Sequence, residues 1–153
     1  MSDDATLTDA GLTTLAAVLD TLIPPSPERG LPGAGELGLA LPVAEEIARV
    51  PGVVELIAAG LARVEALAGA ATGFAGLDPD ARSRLLRDDD AAEPGFVQAL
   101  IAPTYFRYYE QSSVVAALGL EPRPPHPLGY SLEPGDLSLL DPVRRRPKLY
   151  RDC

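Results

Sequence analysis

The sequence predicts an all-α protein, a compact bundle of about five or six helices followed by an extended, proline-rich C-terminal arm. Apolar residues recur at three- and four-residue spacing in each long stretch without proline, which is typical of amphipathic helices. Proline divides these stretches, because inside a helix it removes a hydrogen bond and clashes with the preceding turn. No stretch shows the alternation of apolar and polar residues that indicates a strand. At 153 residues, the chain is long enough for one such domain.

The first helix is predicted within residues 1–23, where one apolar stripe runs along the sequence. Its members are Leu12, Leu15, Ala16, Leu19, Leu22 and Ile23. Thr8 is the predicted N-cap, and Pro24 follows the last apolar position. After a loop rich in proline and glycine, a short helix is predicted to follow Leu41. Pro42 would be its first residue, and Val43 and Ile47 would face inward.

The longest helix is predicted from Gly52 to Ala71, with one apolar face. That face comprises Val53, Ile57, Leu61, Val64, Leu67 and Ala71. Asp78 and Pro79 have the pattern of an N-cap and a first-turn proline, so they are predicted to open the next helix. The acidic run 88–90 is predicted to break that helix.

Another helix is predicted to begin at Pro94 and to pass through Phe96, Leu100 and Ile101, with Pro103 kinking or splitting it. The apolar pattern then resumes through Tyr105, Tyr108 and Tyr109. Ser112 or Ser113 is the predicted cap of a last short helix, Val114 to Leu118, which Gly119 would end.

Composition changes after Leu120, because seven of the 16 prolines lie between Pro122 and Pro147. Residues 1–120 are therefore predicted to form a helical domain. Residues 121–153 are predicted to form an extended arm that packs on this domain or on a partner.

The net charge of −9 is unevenly distributed. Residues 143–153 contain five basic residues and one acid, a charge of +4, which leaves −13 for the rest of the chain. An acidic body disfavours nucleic acid, because phosphates repel it. The basic run Arg144–Arg146 is either a solvated terminus or part of a binding arm.

The scarcity of catalytic and ligating residue types argues against chemistry in this chain. It has one His (His126), one Cys (Cys153) and no Trp. These numbers exclude an internal disulfide, the common Cys and His zinc sites and an iron–sulfur cluster. We therefore predict no catalytic residues, no metal site and no cofactor site in this chain.

Three apparent motifs have a structural interpretation. Gly33, Gly35 and Gly38 spell G-x-G-x-x-G, but no strand precedes them as a dinucleotide-binding unit requires, so a tight loop is predicted. The acidic run 88–90 lacks the spacing of a calcium loop, so a solvated acidic loop is predicted. His126 lies between prolines and no G-x-S-x-G occurs, which argues against a Ser–His–Asp triad.

Aromatic residues cluster at 105–109. Tyr105, Tyr108 and Tyr109 share a helical face. They form either a core cluster whose hydroxyls reach the surface or an interface anchor, since tyrosine is enriched at binding hot spots.

No targeting segment or membrane span is predicted from the sequence. The first basic residue is Arg29, and no apolar run approaches 18 residues. The predicted location is the cytoplasm, or the periplasm if a signal was removed or is carried by a partner.

Several short motifs, in this order and spacing, resemble the gluconate 2-dehydrogenase subunit 3 family. The motifs are Leu22-Ile23-Pro24, the loop 32–38, Tyr108-Tyr109, the segment 115–119, Gly129-Tyr130 and the segment 141–144. The resemblance extends from about Leu12 to Tyr150 and rests on the order of the motifs. It implies a non-catalytic small subunit that binds and stabilises, or helps to mature, a large FAD-dependent sugar or alcohol oxidoreductase of the glucose–methanol–choline class. FAD would be in the partner, and the assembly would be a hetero-oligomer, such as a heterodimer.

The resemblance and the aromatic cluster together give a predicted partner-binding set. Its members are Tyr105, Tyr108, Tyr109, His126, Tyr130, Arg144, Arg145, Arg146 and Tyr150. The chain lacks the twin-Arg signal that many family members carry, which favours a cytoplasmic flavoenzyme complex. The alternative is a free-standing helical adaptor or small-ligand-binding protein.

Overall fold

The computed structural model describes residues 7–123, 129 and 133–147, and within them the protein is all-α, as predicted. Its α-helices are α1 (Asp9–Leu22), α2 (Ala40–Ile47), α3 (Val53–Ala68), α4 (Pro79–Ala92), α5 (Phe96–Tyr109), α6 (Ser112–Ala117) and α7 (Asp141–Arg144). Short 3₁₀ helices span Pro27–Arg29 and Leu137–Leu140. Contacts divide the chain into two compact units, Met1–Pro122 and Arg123–Cys153.

Two predicted N-caps are confirmed by their hydrogen bonds. The Thr8 hydroxyl accepts from the amide of Gly11 at 3.2 Å, and the Asp78 carboxylate accepts from the amide of Ala81 at 2.9 Å. Each bond satisfies one amide that the first turn of a helix leaves without an internal partner. Sequence therefore sets where α1 and α4 begin.

The core of the first unit lies between α1 and α3, with α2, α4 and α5 packed around them. Fully buried members include Leu15, Val18, Leu19, Val43, Ile57, Val64, Phe74, Phe96, Leu100 and Val114. The predicted inward positions Val43 and Ile47 of α2 are both buried. Burying such side chains stabilises the fold by about 1.5–3 kcal/mol each.

The prediction that residues 88–90 break a helix and form a solvated loop is wrong, because α4 continues to Ala92. Asp89 is only 4% exposed, and its two carboxylate oxygens accept from Nε and Nη2 of Arg63 at 2.8 and 2.9 Å. Glu93 adds a contact to the same guanidinium at 3.4 Å. The hydrogen bond that Arg63 donates to Asp89 raises the pKa of Arg63 above its ordinary value. This bidentate pair offsets the poor helix propensity of aspartate.

Two helix boundaries in the first half of the chain differ from their predictions. α3 ends at Ala68, since Gly69 has a φ of 85°, and Leu67 is 64% exposed instead of inward. α2 begins at Ala40, so Pro42 is its third residue and not its first.

Two more boundaries differ near the C-terminal end of this unit. α5 begins at Phe96, with Gly95 at the N-cap and Pro94 outside the helix, and it is not split at Pro103. Gln111 occupies the N-cap of α6, so neither of the two serines caps it.

Residues 133–147 of the second unit contain local helical turns that the sequence analysis did not predict. The Asp136 carboxylate accepts from the amide of Ser138 at 3.0 Å at the start of the 3₁₀ helix. Arg144 then pairs with Asp141 at 3.2 Å across α7. The short helices of this segment therefore begin at acidic residues and at a proline.

Exchanging Gly60 for alanine is expected to destabilise the protein, because an added Cβ would lie 2.2 Å from ring atoms of Phe96, which is fully buried. Overpacking of this kind costs about 1–3 kcal/mol. Gly11→Ala is the matched control in α1, where the added Cβ would meet its nearest atom at 3.5 Å. It should gain up to about 1 kcal/mol from helix propensity. Urea unfolding of both variants measures the difference, and a G60A variant as stable as G11A would contradict the packing described.

Candidate functional site

The rotation of α5 about its axis is set by a row of buried side chains at four-residue spacing, which we call the buried ladder. Phe96, Leu100, Thr104 and Tyr108 are each at most 2% exposed. Residues four apart lie one above the other on a helix, so this ladder defines the inner face of α5. The side chains at the other positions of α5 lie on its remaining faces.

Tyr108 is therefore a core residue of this chain. It is 2% exposed, and its hydroxyl donates to the backbone oxygen of Pro32 at 2.9 Å. Its ring meets that of Tyr109 edge to face, with centroids 5.3 Å apart. Burial raises the pKa of Tyr108 above the ordinary tyrosine value. The bond to Pro32 ties the end of α5 to the loop that follows α1.

On the outer side of α5 lie three exposed aromatic side chains, which we call the aromatic face. Tyr105 is 43% exposed, Phe106 71% and Tyr109 50%. The rings of Tyr105 and Tyr109 pack with centroids 6.0 Å apart. Tyr105 and Tyr109 belong to the predicted partner-binding set, whereas Phe106 was missed. The signal that could have found it is the i, i+4 ladder ending at Tyr108, which leaves Phe106 facing outward.

A shallow cavity of about 260 Å³ adjoins the aromatic face through Phe106. It is lined by Glu46, Ile47, Val50, Val53, Ala99, Ala102, Pro103 and Phe106. Beside it, Arg107 joins α5 to α2 by pairing with Glu46 at 2.6 Å, and it also pairs with Glu110 at 3.2 Å. The hydrogen bond that Arg107 donates to Glu46 raises the pKa of Arg107 above its ordinary value. The helix that carries the aromatic face is therefore fixed by two kinds of contact. Its inner face is buried in the core, and Arg107 on one side pairs with Glu46 of α2.

The predicted binding residues of the arm lie partly outside the described residues. Arg144, Arg145 and Arg146 are exposed, and Arg144 pairs with Asp141. His126, Tyr130 and Tyr150 are outside the residues that the structure describes.

The glycine-rich loop binds a carboxylate of its own chain. Asp20 Oδ1 accepts from the amides of Gly35 and Glu36 at 2.7 and 3.1 Å. A Cβ at Gly35 would lie 2.1 Å from the Ala16 backbone oxygen, and one at Gly33 would lie 2.3 Å from Asp20 Oδ1. The glycines therefore permit close contact with α1. Amides of this loop that could face a phosphate in a dinucleotide site are already bonded within the chain, those of Gly35 and Glu36 to Asp20 and that of Gly33 to Glu36.

A second concave surface lies between α1 and α3. This α1–α3 groove has a volume of about 700 Å³. It is lined by Leu7, Thr8, Ala10, Gly11, Thr13, Thr14, Ala58, Leu61, Ala62 and Glu65. At one side Glu65 accepts from the Thr14 hydroxyl at 2.6 Å and from the Phe74 amide at 3.2 Å. The groove is mostly apolar, with hydroxyls and one carboxylate on its walls.

Metal-ligating side chains are not grouped within residues 7–123, 129 and 133–147, where no three His, Cys, Asp or Glu residues converge. In the same described residues, no helix is long and apolar enough to cross a membrane. Comparison with protein-family models, with curated proteins and with solved structures finds no match to this chain. The aromatic face and the α1–α3 groove are the two surfaces that we consider as candidate binding sites.

Tyr108→Phe is expected to destabilise the protein by about 0.5–1.5 kcal/mol, because it removes the hydrogen bond to Pro32. Tyr109→Phe, on the exposed side of the same helix, should change stability by no more than about 0.5 kcal/mol.

The raised pKa of Tyr108 makes its contribution to stability depend on pH. Its contribution is fully present below the ordinary value of 10.0 and is lost as pH rises through the raised pKa. Y108F should therefore lose less stability than the unmodified protein in this alkaline range.

Denaturant unfolding of both variants, at neutral and alkaline pH, measures these differences. Equal effects of Y108F and Y109F at neutral pH would contradict the assignment of Tyr108 to the core.

Proposed function

We propose that this protein is a non-catalytic accessory subunit that binds and stabilises, or helps to mature, a larger FAD-dependent sugar or alcohol oxidoreductase. The single observation that carries the binding role is the aromatic face, with Phe106 71% exposed on a rigidly held helix. The class of partner comes from the resemblance to the gluconate 2-dehydrogenase subunit 3 family.

The aromatic face has the chemistry of an interface anchor. Large aromatic side chains bury much surface when a partner covers them, and tyrosine is among the residues enriched at hot spots. The buried ladder and the pairing of Arg107 with Glu46 hold α5 in place before binding. Such preorganisation lowers the entropy cost of association.

The arm supplies a second contact of different character. Arg144, Arg145 and Arg146 are exposed, and a guanidinium pairs with a carboxylate through two parallel hydrogen bonds. Proline restricts the backbone of residues 122–147 before binding, so less entropy is lost when the arm is ordered on a partner. The proposed partner surface therefore combines an apolar site with a run of carboxylates.

In the proposed complex, the partner subunit catalyses the oxidation. With one His and one Cys in the whole chain, imidazole and thiol groups are scarce here. FAD would be bound by the large subunit, and this chain would contribute folding and stability to it.

Removal of the residues from Pro122 onward is expected to abolish co-purification of this chain with its flavoprotein partner. Both chains would be co-expressed, with an affinity tag on the small one, and the yield of yellow flavoprotein read from its absorbance.

Tyr105→Ser combined with Phe106→Ser should weaken recovery of the partner at least about tenfold, since hot-spot truncations cost about 2 kcal/mol or more.

Leu41→Ser is the matched control, because Leu41 is 55% exposed but lies outside the aromatic face and its adjoining cavity. Full recovery of the partner by the truncated chain would refute the role of the arm. Oxidoreductase activity in the isolated chain would refute the accessory function altogether.

A second candidate function, a small-ligand-binding protein, is favoured by the α1–α3 groove. Its volume of about 700 Å³ falls within the range of ligand sites, about 300–1,000 Å³. Ala62→Leu would fill the groove from its α3 wall, since Ala62 lines it and is exposed. If the groove binds a small apolar ligand, A62L should abolish the thermal stabilisation that such ligands give in a screen. Ala66→Leu, exposed on the same helix but outside the lining, should leave that stabilisation intact.

A further inference from the structure

Four charged side chains beside the aromatic face form a connected row in which the sign of the charge alternates. Arg49 pairs with Glu46 at 3.0 Å, and Arg107 pairs with the same Glu46 oxygen at 2.6 Å. Arg107 also pairs with Glu110 at 3.2 Å. Along these contacts the order is positive, negative, positive, negative. We call these four residues the charged row.

The two ends of the charged row are its most exposed members. The side chains of Arg49 and Glu110 are 67% and 62% exposed, whereas the inner pair of Glu46 and Arg107 is more buried. A guanidinium carries five donor hydrogens and a carboxylate can accept several hydrogen bonds, so one ion pair does not exhaust either group. A further group of opposite charge can therefore approach each end of the row.

The order of signs makes the charged row complementary to a second copy of itself. In a symmetric dimer the same patch of both copies meets across a two-fold axis. If that axis lies in the interface and crosses the row at its middle, the second row runs in the reverse direction. Arg49 then faces Glu110 of the second copy, and Glu46 faces Arg107 of the second copy. A row with the same sign at both ends would instead repel its own copy.

The same rotation brings apolar surface against apolar surface. With the axis across the row, whatever lies to one side of the row on one copy meets the same side of the second copy. On that side Phe106 projects into solvent, and it borders the cavity of about 260 Å³ that Val50 and Pro103 also line. Each copy therefore presents a projecting ring next to a concave apolar surface. Aromatic side chains in such a setting bury much surface on association.

We propose that the aromatic face and the charged row together form the interface of a two-fold symmetric homodimer of this chain. Contact between the apolar surfaces supplies most of the affinity, because exposed ion pairs contribute little. The charged row sets the relative orientation of the two copies. The inference goes beyond the accessory function, because it concerns the chain without its partner. The dimer is the state of the free subunit, since a flavoprotein bound at the aromatic face would displace the second copy.

Analytical ultracentrifugation of the full chain tests the dimer, in moderate salt that screens the general repulsion between two copies of net charge −9. The mass should rise with concentration from monomer towards dimer, with a dissociation constant of about 1–100 µM, as expected of a small interface. Phe106→Ser should weaken the dimer at least about hundredfold, because an anchor is lost from both copies. Leu67→Ser is the matched control, since Leu67 is exposed near the other end of α3 from the cavity, and it should change nothing.

Charge reversal tests the orientation of the two copies. Arg49→Glu and Glu110→Arg should each weaken the dimer about tenfold, because each places like charges opposite one another at two symmetric contacts. The double variant R49E/E110R should restore the affinity, since opposite charges then face each other again. Arg84→Glu and Asp88→Arg, at exposed positions of α4, make the same changes in net charge and should alter the affinity by less than about twofold.

A chain that stays monomeric at every concentration would overturn the proposal, and so would an F106S variant that dimerises as well as L67S. Single reversals with no more effect than the α4 controls would overturn it too. So would a double variant that stays as weak as the single ones, because positions 49 and 110 would then not face each other. These measurements require no flavoprotein, so their failure leaves the accessory function to be tested by co-purification.

Discussion

The close approach of α5 to α3 at Gly60 is the constraint on which the aromatic face depends. The ring of Phe96 occupies the space that any side chain at position 60 would need. At the other end of α5, the hydroxyl of Tyr108 reaches the backbone of Pro32. With both ends of the inner face fixed, the rotation of α5 about its axis is fixed too. The exposure of Phe106 follows from this rotation.

Most buried or half-buried polar groups of the first unit are satisfied within it. Asp20 binds the amides of the glycine-rich loop, and Arg63 binds both oxygens of Asp89. Glu65 connects α1 through Thr14 to the segment after α3. These bonds stabilise loops and helix contacts, which is the role expected of polar groups that are removed from water. Asp90 departs from this pattern, because its buried Oδ1 has no hydrogen-bond partner within the described part of the chain.

The proposed accessory function fits the distribution of chemical groups over the chain. The glycine-rich motif is used for packing against α1, and the acidic run is part of a helix. The exposed aromatic residues lie on one regular helix, and the exposed arginines 144–146 lie in the second unit. Surfaces of these two kinds suit recognition of another protein, by apolar contact in one case and by charge in the other.

The sequence by itself determined the all-α class, the starts of α1 and α4, and the inward positions Val43 and Ile47 of α2, whereas of the predicted stripe of α1 only Leu15 and Leu19 are fully buried. These features are local, because periodicity and capping involve residues within a turn or two of each other. Only the tertiary structure decided that α4 continues through Asp89, since the stabilising Arg63 lies on another helix. It also decided that Tyr108 is buried while Phe106 is exposed. A cluster of adjacent aromatics is compatible with either arrangement until Gly60 and Pro32, distant in sequence, fix which side of α5 faces the core.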